Sequence, residues 1–132
     1  MATIFTRIVN GEIPCYKVAE DENFFAFLDI NPLAKGHTLV VPKKEIDYIF
    51  DLDDDLFTGL NLFAKKVARA IDKSVACKRV GIAVVGLEVP HAHIHLVPLN
   101  DIGDLNFANP KLKLSPEEFK SIAETIASNL ED

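Results

Sequence analysis

The stretch "VPHAHIHLVPL", residues 89–99, holds three of the chain's four histidines, at alternate positions inside an apolar run. Side chains on a strand point alternately to its two faces. A strand here would put His91, His93 and His95 on one face and Ala92, Ile94 and Leu96 on the other. That predicts a strand packed on a core behind and polar in front. Upstream, "RVGIAVVG" (79–86) is a second apolar run, and Gly86-Leu87-Glu88 between the two reads as the turn of a hairpin. A second hairpin is expected from "CYKVAE" (15–20) and "NFFAFLDI" (23–30), joined by polar residues. "HTLVVP" (37–42) reads as a short buried strand closed by Pro42, with the outlying His37 at its start.

Two segments carry a helical period instead. Leu56, Leu60, Phe63, Val67, Ile71 and Val75 recur every three or four residues between Asp53 and about Ala76. Asp53, Asp54 and Asp55 suit the positive end of that helix. Ser115-Pro116-Glu117-Glu118 is a capping box with proline at the first helical position, followed by an apolar stripe from Phe119 to Leu130. A short helical turn is expected at Ile4–Val9, stopped by Asn10-Gly11. About five clustered strands and two long helices point to an α+β domain with an antiparallel sheet. No linker or repeat divides the chain. It reads as one domain, residues 1–132, with 100–132 a C-terminal extension ending in a helix.

A composition of 48% hydrophobic and 26% charged residues excludes a mainly disordered chain. The net charge of -6 argues against a nucleic acid polymer as main partner, though a single nucleotide needs only a few local groups. Cys15 and Cys77 have no metal spacing and suit a reducing compartment. Neither a signal peptide nor a membrane span stands out. A cytoplasmic protein is expected.

The histidine array admits three readings. Each imidazole could be a hydrogen-bonded core residue. A pair on the strand, joined by His37, could grip a metal. The outer two, roughly 13 Å apart at about 3.3 Å per residue, cannot share one tetrahedral ion on a regular strand. In the third reading the middle imidazole, His93, is a nucleophile, and its neighbours bind and orient an anion such as phosphate. Positive neighbours would then hold down the pKa of His93.

"HAHIHLV" resembles the signature of the histidine triad (HIT) family. "IFTRIVNGEIP" and "FFAFLDINPLAKGHTLVVPKK" resemble the first and second sequence blocks of its Hint-like branch. The likeness spans about residues 3–99. It implies a HIT-like fold, with a five-stranded antiparallel sheet, two main helices and homodimers that join two sheets. It also implies binding of a purine nucleotide and hydrolysis at the α-phosphate, of the nucleoside phosphoramidate or adenylyl-amine type. No cofactor is implied. Dinucleoside polyphosphate hydrolysis, or nucleotide binding with little catalysis, is the alternative. By the same likeness His93 is the nucleophile that becomes a transient nucleotidyl-histidine, and His95 binds phosphate. His91 and His37 orient the nucleophile through a hydrogen-bond relay. Asp29 grips the ribose hydroxyls, Gly86 lies close to the phosphate, and Ile4, Phe5, Ile8, Ile13, Phe27 and Ile30 surround the base. The plain alternatives are that Asp29 opens a turn before Asn31-Pro32, that the apolar residues are core, and that Gly86 is a turn glycine.

The chain also departs from the pattern. Many bacterial members carry Cys-x-x-Cys in the first block as part of a zinc site. Here those places are Thr3 and Thr6, so no structural zinc is expected. The polar residues usual before the triad are replaced by Leu87 and Glu88, and the usual Asn is missing from "GIAVV". An ionised Glu88 would repel phosphate. A protonated one is a candidate general acid, and a solvent-facing turn residue is the bland alternative.

Overall fold

The computed structural model describes residues 2–131. The elements, in chain order, are α1 (Ile4–Val9), β1 (Lys17–Glu20), β2 (Phe24–Leu28), β3 (Thr38–Pro42), a 3-10 turn (Ile49–Asp51), α2 (Asp54–Ser74), β4 (Arg79–Ala83), β5 (Ile94–Leu99), a second 3-10 turn (Ile102–Leu105) and α3 (Pro116–Ser128). The five strands form one sheet in the order β1-β2-β3-β5-β4, with every neighbouring pair antiparallel.

The helices form where capping and period coincide. Asp53 caps α2 by accepting the Leu56 amide at 2.8 Å. Leu60, Phe63, Ala64, Val67, Ala70 and Ile71 form its buried stripe. Ser115 and Glu118 complete the capping box of α3, which buries Phe119, Ala123 and Ile126. Both helices lie on the same face of the sheet and pack on Ala26, Val40, Ile94 and Leu96. On the other face Phe25, Phe27, Leu39 and Val41 meet Phe5 of α1. The strand period thus divides β2 and β3 between two apolar layers. The thin second layer under α1 is the side on which the polar edge of β5 emerges. No helix among the described residues is long and apolar enough to cross a membrane.

The two hairpins differ from each other. β1 and β2 are joined by a short turn in which Asp21 accepts the amides of Asn23 and Phe24. The β4–β5 pairing stops at Ala83↔His95, so residues 84–93 form a long connection rather than a tight turn. The chain is diverted there: the Ala92 amide donates to the Ile46 carbonyl at 2.7 Å, the His91 amide to Val89, and Pro90 has no amide to offer. The strand therefore begins at Ile94, and only His95 of the three histidines lies on it.

Candidate active site

Leaving the strand early separates the three histidines. His95 stands on β5 opposite Leu39 and faces the α1 side of the sheet. His93, one pleat earlier, lies against the edge of Phe5, with ring centroids 4.9 Å apart. His91 turns away from both. Its imidazole is fully buried, with Nε2 donating to the Pro42 carbonyl at 2.8 Å and Nδ1 meeting the Thr3 hydroxyl at 2.9 Å. Thr6 in turn donates to the Glu45 carboxylate at 2.6 Å, which also accepts the Thr3 amide at 2.7 Å. Where a Cys-x-x-Cys pair would stand, this chain ties α1, the loop after β3 and His91 together by hydrogen bonds.

Hydrogen-bond bookkeeping fixes the tautomers, because a carbonyl only accepts and an amide only donates. His93 Nδ1–H donates to the His91 carbonyl at 2.7 Å, leaving the lone pair on Nε2. The Leu33 amide donates to His37 Nδ1 at 3.0 Å, so neutral His37 carries its proton on Nε2. That proton points at His95 Nδ1, 3.0 Å away, which leaves His95 with a proton on Nε2. Among the described residues no buried side-chain N or O atom lacks a partner, so the two remaining Nε2 atoms, which bond to no protein group, reach the open cleft. The cleft thus receives one lone pair, from His93, and one N–H donor, from His95.

The hydrogen bonds run through backbone as well as rings: the His91 carbonyl holds the His93 ring, and His37 pairs with His95. The cause of the His93 shift differs from the expected one. Burial is the main cause that lowers the pKa of His93; charge on neighbouring imidazoles adds less. Burial likewise lowers His95 to about 4 and His37 to about 3. The site holds neutral imidazoles, not a cationic ring.

These groups open on a cleft of ≈ 460 Å³. Ile4, Phe5, Ile8, Ile13 and Phe27 line its apolar end, and Phe5 and Phe27 are also core residues. Ile30 lines it from an exposed rim, at 64% exposure, where an apolar side chain has no packing reason to be. Asp29 lines it too. Oδ1 accepts the Asn31 amide at 2.8 Å, as in a turn, while Oδ2 lies 3.6 Å from His37 Nε2. Burial raises the Asp29 pKa, opposed first by that amide and then by Lys111. Gly86, at φ +72, and Glu88 form the rim on the His93 side, and Glu88 acts through space on His93 and Asp29. His91 is the one predicted site residue outside the lining.

Among the lining residues that were not foreseen, two come from beyond β5. Phe107 packs edge-on against His95 at 4.7 Å, and Lys111 stands at the mouth. Both come from an irregular segment after β5; the Leu112 amide donates to the Pro32 carbonyl at 2.9 Å and ties that segment to the loop between β2 and β3.

Asp29, His37 and His95 bring three donor atoms within 4.8 Å of one another, the spacing of a metal site. The donor chemistry does not fit. A metal-binding imidazole normally donates its other N–H, whereas His37 Nδ1 accepts an amide proton. Binding an ion at His37 Nε2 would set that amide against a second N–H.

The chain has clear relatives. It is 36% identical to adenosine 5′-monophosphoramidase hnt1 of Schizosaccharomyces pombe, across 98% of this chain and 99% of that protein. A HIT-like protein from Bartonella henselae superposes with a TM-score of 0.84 at 28% identity, covering 97% of this chain and 96% of that one. A zinc-bound histidine triad protein from Mycobacterium smegmatis gives 0.82 at 29% identity, covering 98% and 93%. With residues 10–102 matching the HIT domain, the chain belongs to the HIT family.

Proposed function

We propose that the protein is a purine nucleotide hydrolase that cleaves at the α-phosphate, preferring a nucleoside 5′-phosphoramidate or adenylylated amine. The observation that carries this reading is the pairing of tautomers: a free lone pair on His93 Nε2 beside an N–H donor on His95 Nε2, both facing one cleft. In the first step His93 Nε2 attacks phosphorus, a P–N bond forms to the enzyme, and the P–N bond to the amine breaks. The amine leaves with a proton taken from solvent, which the attacking water of the second step restores. In the second step water attacks phosphorus, the bond to His93 breaks, and a nucleoside monophosphate is released.

The other groups serve those steps. His95 donates to a phosphate oxygen as charge builds on it. The His91 carbonyl keeps Nδ1–H aimed and stabilises the positive charge His93 acquires when nucleotidylated. His37 holds the His95 tautomer. Asp29 Oδ2 accepts from the ribose hydroxyls, and the base lies among Ile4, Phe5, Ile8, Ile13, Phe27 and Ile30. Glu88 at the rim favours an ammonium leaving group over a polyphosphate, because its carboxylate attracts the one and repels the other.

A dimer fits the same frame. β4 is an edge strand beside exposed Ile82, Val84 and Val85, a surface suited to a second copy. Sedimentation of a monomer at working concentration would remove that element and leave the site reading untouched.

The test is turnover of adenosine 5′-phosphoramidate by wild type and His93→Ala. Turnover that disappears in the variant, with AMP binding retained, is expected. Equal turnover in both removes His93 from the chemistry. AMP binding without wild-type turnover favours the nucleotide-binding alternative. A higher rate on a dinucleoside polyphosphate than on the phosphoramidate overturns the assignment of the leaving group.

A further inference from the structure

The cleft poses a charge problem. Its two carboxylates, Asp29 and Glu88, repel an anion, hydrogen bonding keeps His37 and His95 neutral, and burial disfavours charge on His93. A neutral N–H from His95 is then the only triad donor for a nucleotide's phosphate. Lys111 is the one lysine or arginine among the described residues that line the cleft.

Lys111 does not hang free as a surface lysine does. Its Nζ donates to the Phe107 carbonyl and to the Asn109 carbonyl, the latter at 3.0 Å. The loop that offers these carbonyls is itself built. Asn106 accepts the Ala108 amide at 2.9 Å, Asn109 Nδ2 donates to Gly103, and Phe107 rests on His95. An ammonium has three donors, and two carbonyls use two of them. The third is available, on a side chain whose freedom has already been spent in folding, so little entropy remains to be lost on binding. The charge is close enough to act on both Asp29 and His37.

Resting on the hydrolase reading above, we propose that Lys111 is a specificity-determining residue: its third donor meets the 5′-phosphate of the bound nucleotide and makes the cleft select a nucleoside monophosphate over the bare nucleoside. The segment after β5 then completes the site, placing an apolar wall on His95 and the cation at the mouth.

Calorimetric titration of AMP and adenosine into wild type, Lys111→Met and Lys111→Arg tests this. Lys111→Met should weaken AMP by about tenfold or more, the low end for one charged hydrogen bond, and leave adenosine within about twofold. Lys111→Arg should keep most of the preference. Equal weakening of both ligands would assign Lys111 only to holding the loop or balancing Asp29, and no change in either would remove it from the site; both overturn the proposal. Lys111→Gln, which can still donate to one carbonyl, replaces Lys111→Met if thermal melting shows that variant unfolded. Wild type that binds neither ligand fails the hydrolase reading itself, whereas wild type that binds and turns over nucleotide with unchanged selectivity in Lys111→Met fails only this one.

Discussion

Lowering the pH from 7.5 to 5.0 should cost the protein about 4 kcal/mol of stability through two histidines alone. His37 is lowered from 6.5 to about 3 and His95 from 6.5 to about 4, chiefly by burial. Both are nearly inaccessible, at 1% and 8% exposure, so solvent screening takes little from these effects. A group whose folded pKa is depressed contributes stability above its unfolded pKa and loses it as pH falls towards the folded one. The window therefore runs from about pH 6.5 down to about pH 4. At pH 5.0 the unfolded imidazoles are almost fully protonated and the folded ones are not. Each then favours unfolding by roughly 1.4 kcal/mol for each of 1.5 pH units, or about 2 kcal/mol. Against a total of about 5–15 kcal/mol this is a large fraction. Carboxylates interfere little above pH 5, since in the unfolded chain they remain mostly ionised. Urea unfolding at half-unit pH steps measures the effect, with a slope near 2.7 kcal/mol per pH unit around pH 5.5 for two protons taken up on unfolding. A stability flat to within about 0.5 kcal/mol between pH 7.5 and 5.0 would refute the reasoning. It would mean that the folded imidazoles accept protons, which the chain from Leu33 through His37 to His95 forbids.

Other outcomes test separate parts of the structure. Thr3→Val removes the hydroxyl that meets buried His91 Nδ1 and should lower stability by about 1–3 kcal/mol in urea titration; an unchanged midpoint would show that the bond is immaterial. Gly36→Ala places a Cβ 2.8 Å from Val75 Cγ2 at a residue with φ +94, just before His37, and should cost at least about 1 kcal/mol in the same assay. Asp29→Ala should abolish discrimination between AMP and its 2′,3′-dideoxy analogue, a preference of about tenfold or more in wild type; retained discrimination would move the ribose contact elsewhere.

Much of this could be read in the chain, for identifiable reasons. α2 and α3 announce themselves because capping and period agree within one segment: Asp53 before an apolar stripe, Ser115 and Glu118 around Pro116. β1, β2 and β3 follow from apolar runs closed by turn residues. The histidine run was harder. Period two placed all three rings on one face, but Pro90 and the Ile46 carbonyl draw the chain away before the strand begins. That diversion exchanges a ring of histidines for a carbonyl at His91, and it depends on a contact from Ile46 that no local pattern encodes. Phe107 and Lys111 reach the cleft through a local Asn106 turn and a tether to Pro32; the turn is a short-range feature, but the tether is a tertiary contact that no local pattern encodes. The downward direction of the His93 shift was legible but its main cause was not, because burial, which outweighs neighbouring charge here, cannot be measured along a sequence.

The central claim is that His93 Nε2 becomes covalently nucleotidylated. Rapid acid-free quenching of wild type during turnover of adenosine 5′-phosphoramidate, followed by peptide mass spectrometry, tests it most directly. The structure predicts an adenylyl group on the peptide containing His93, mapped to that residue and absent from His93→Ala. Turnover at full rate with no adduct at any quench time, together with inversion rather than retention at a chiral phosphorus, would contradict it and leave direct attack by water as the mechanism.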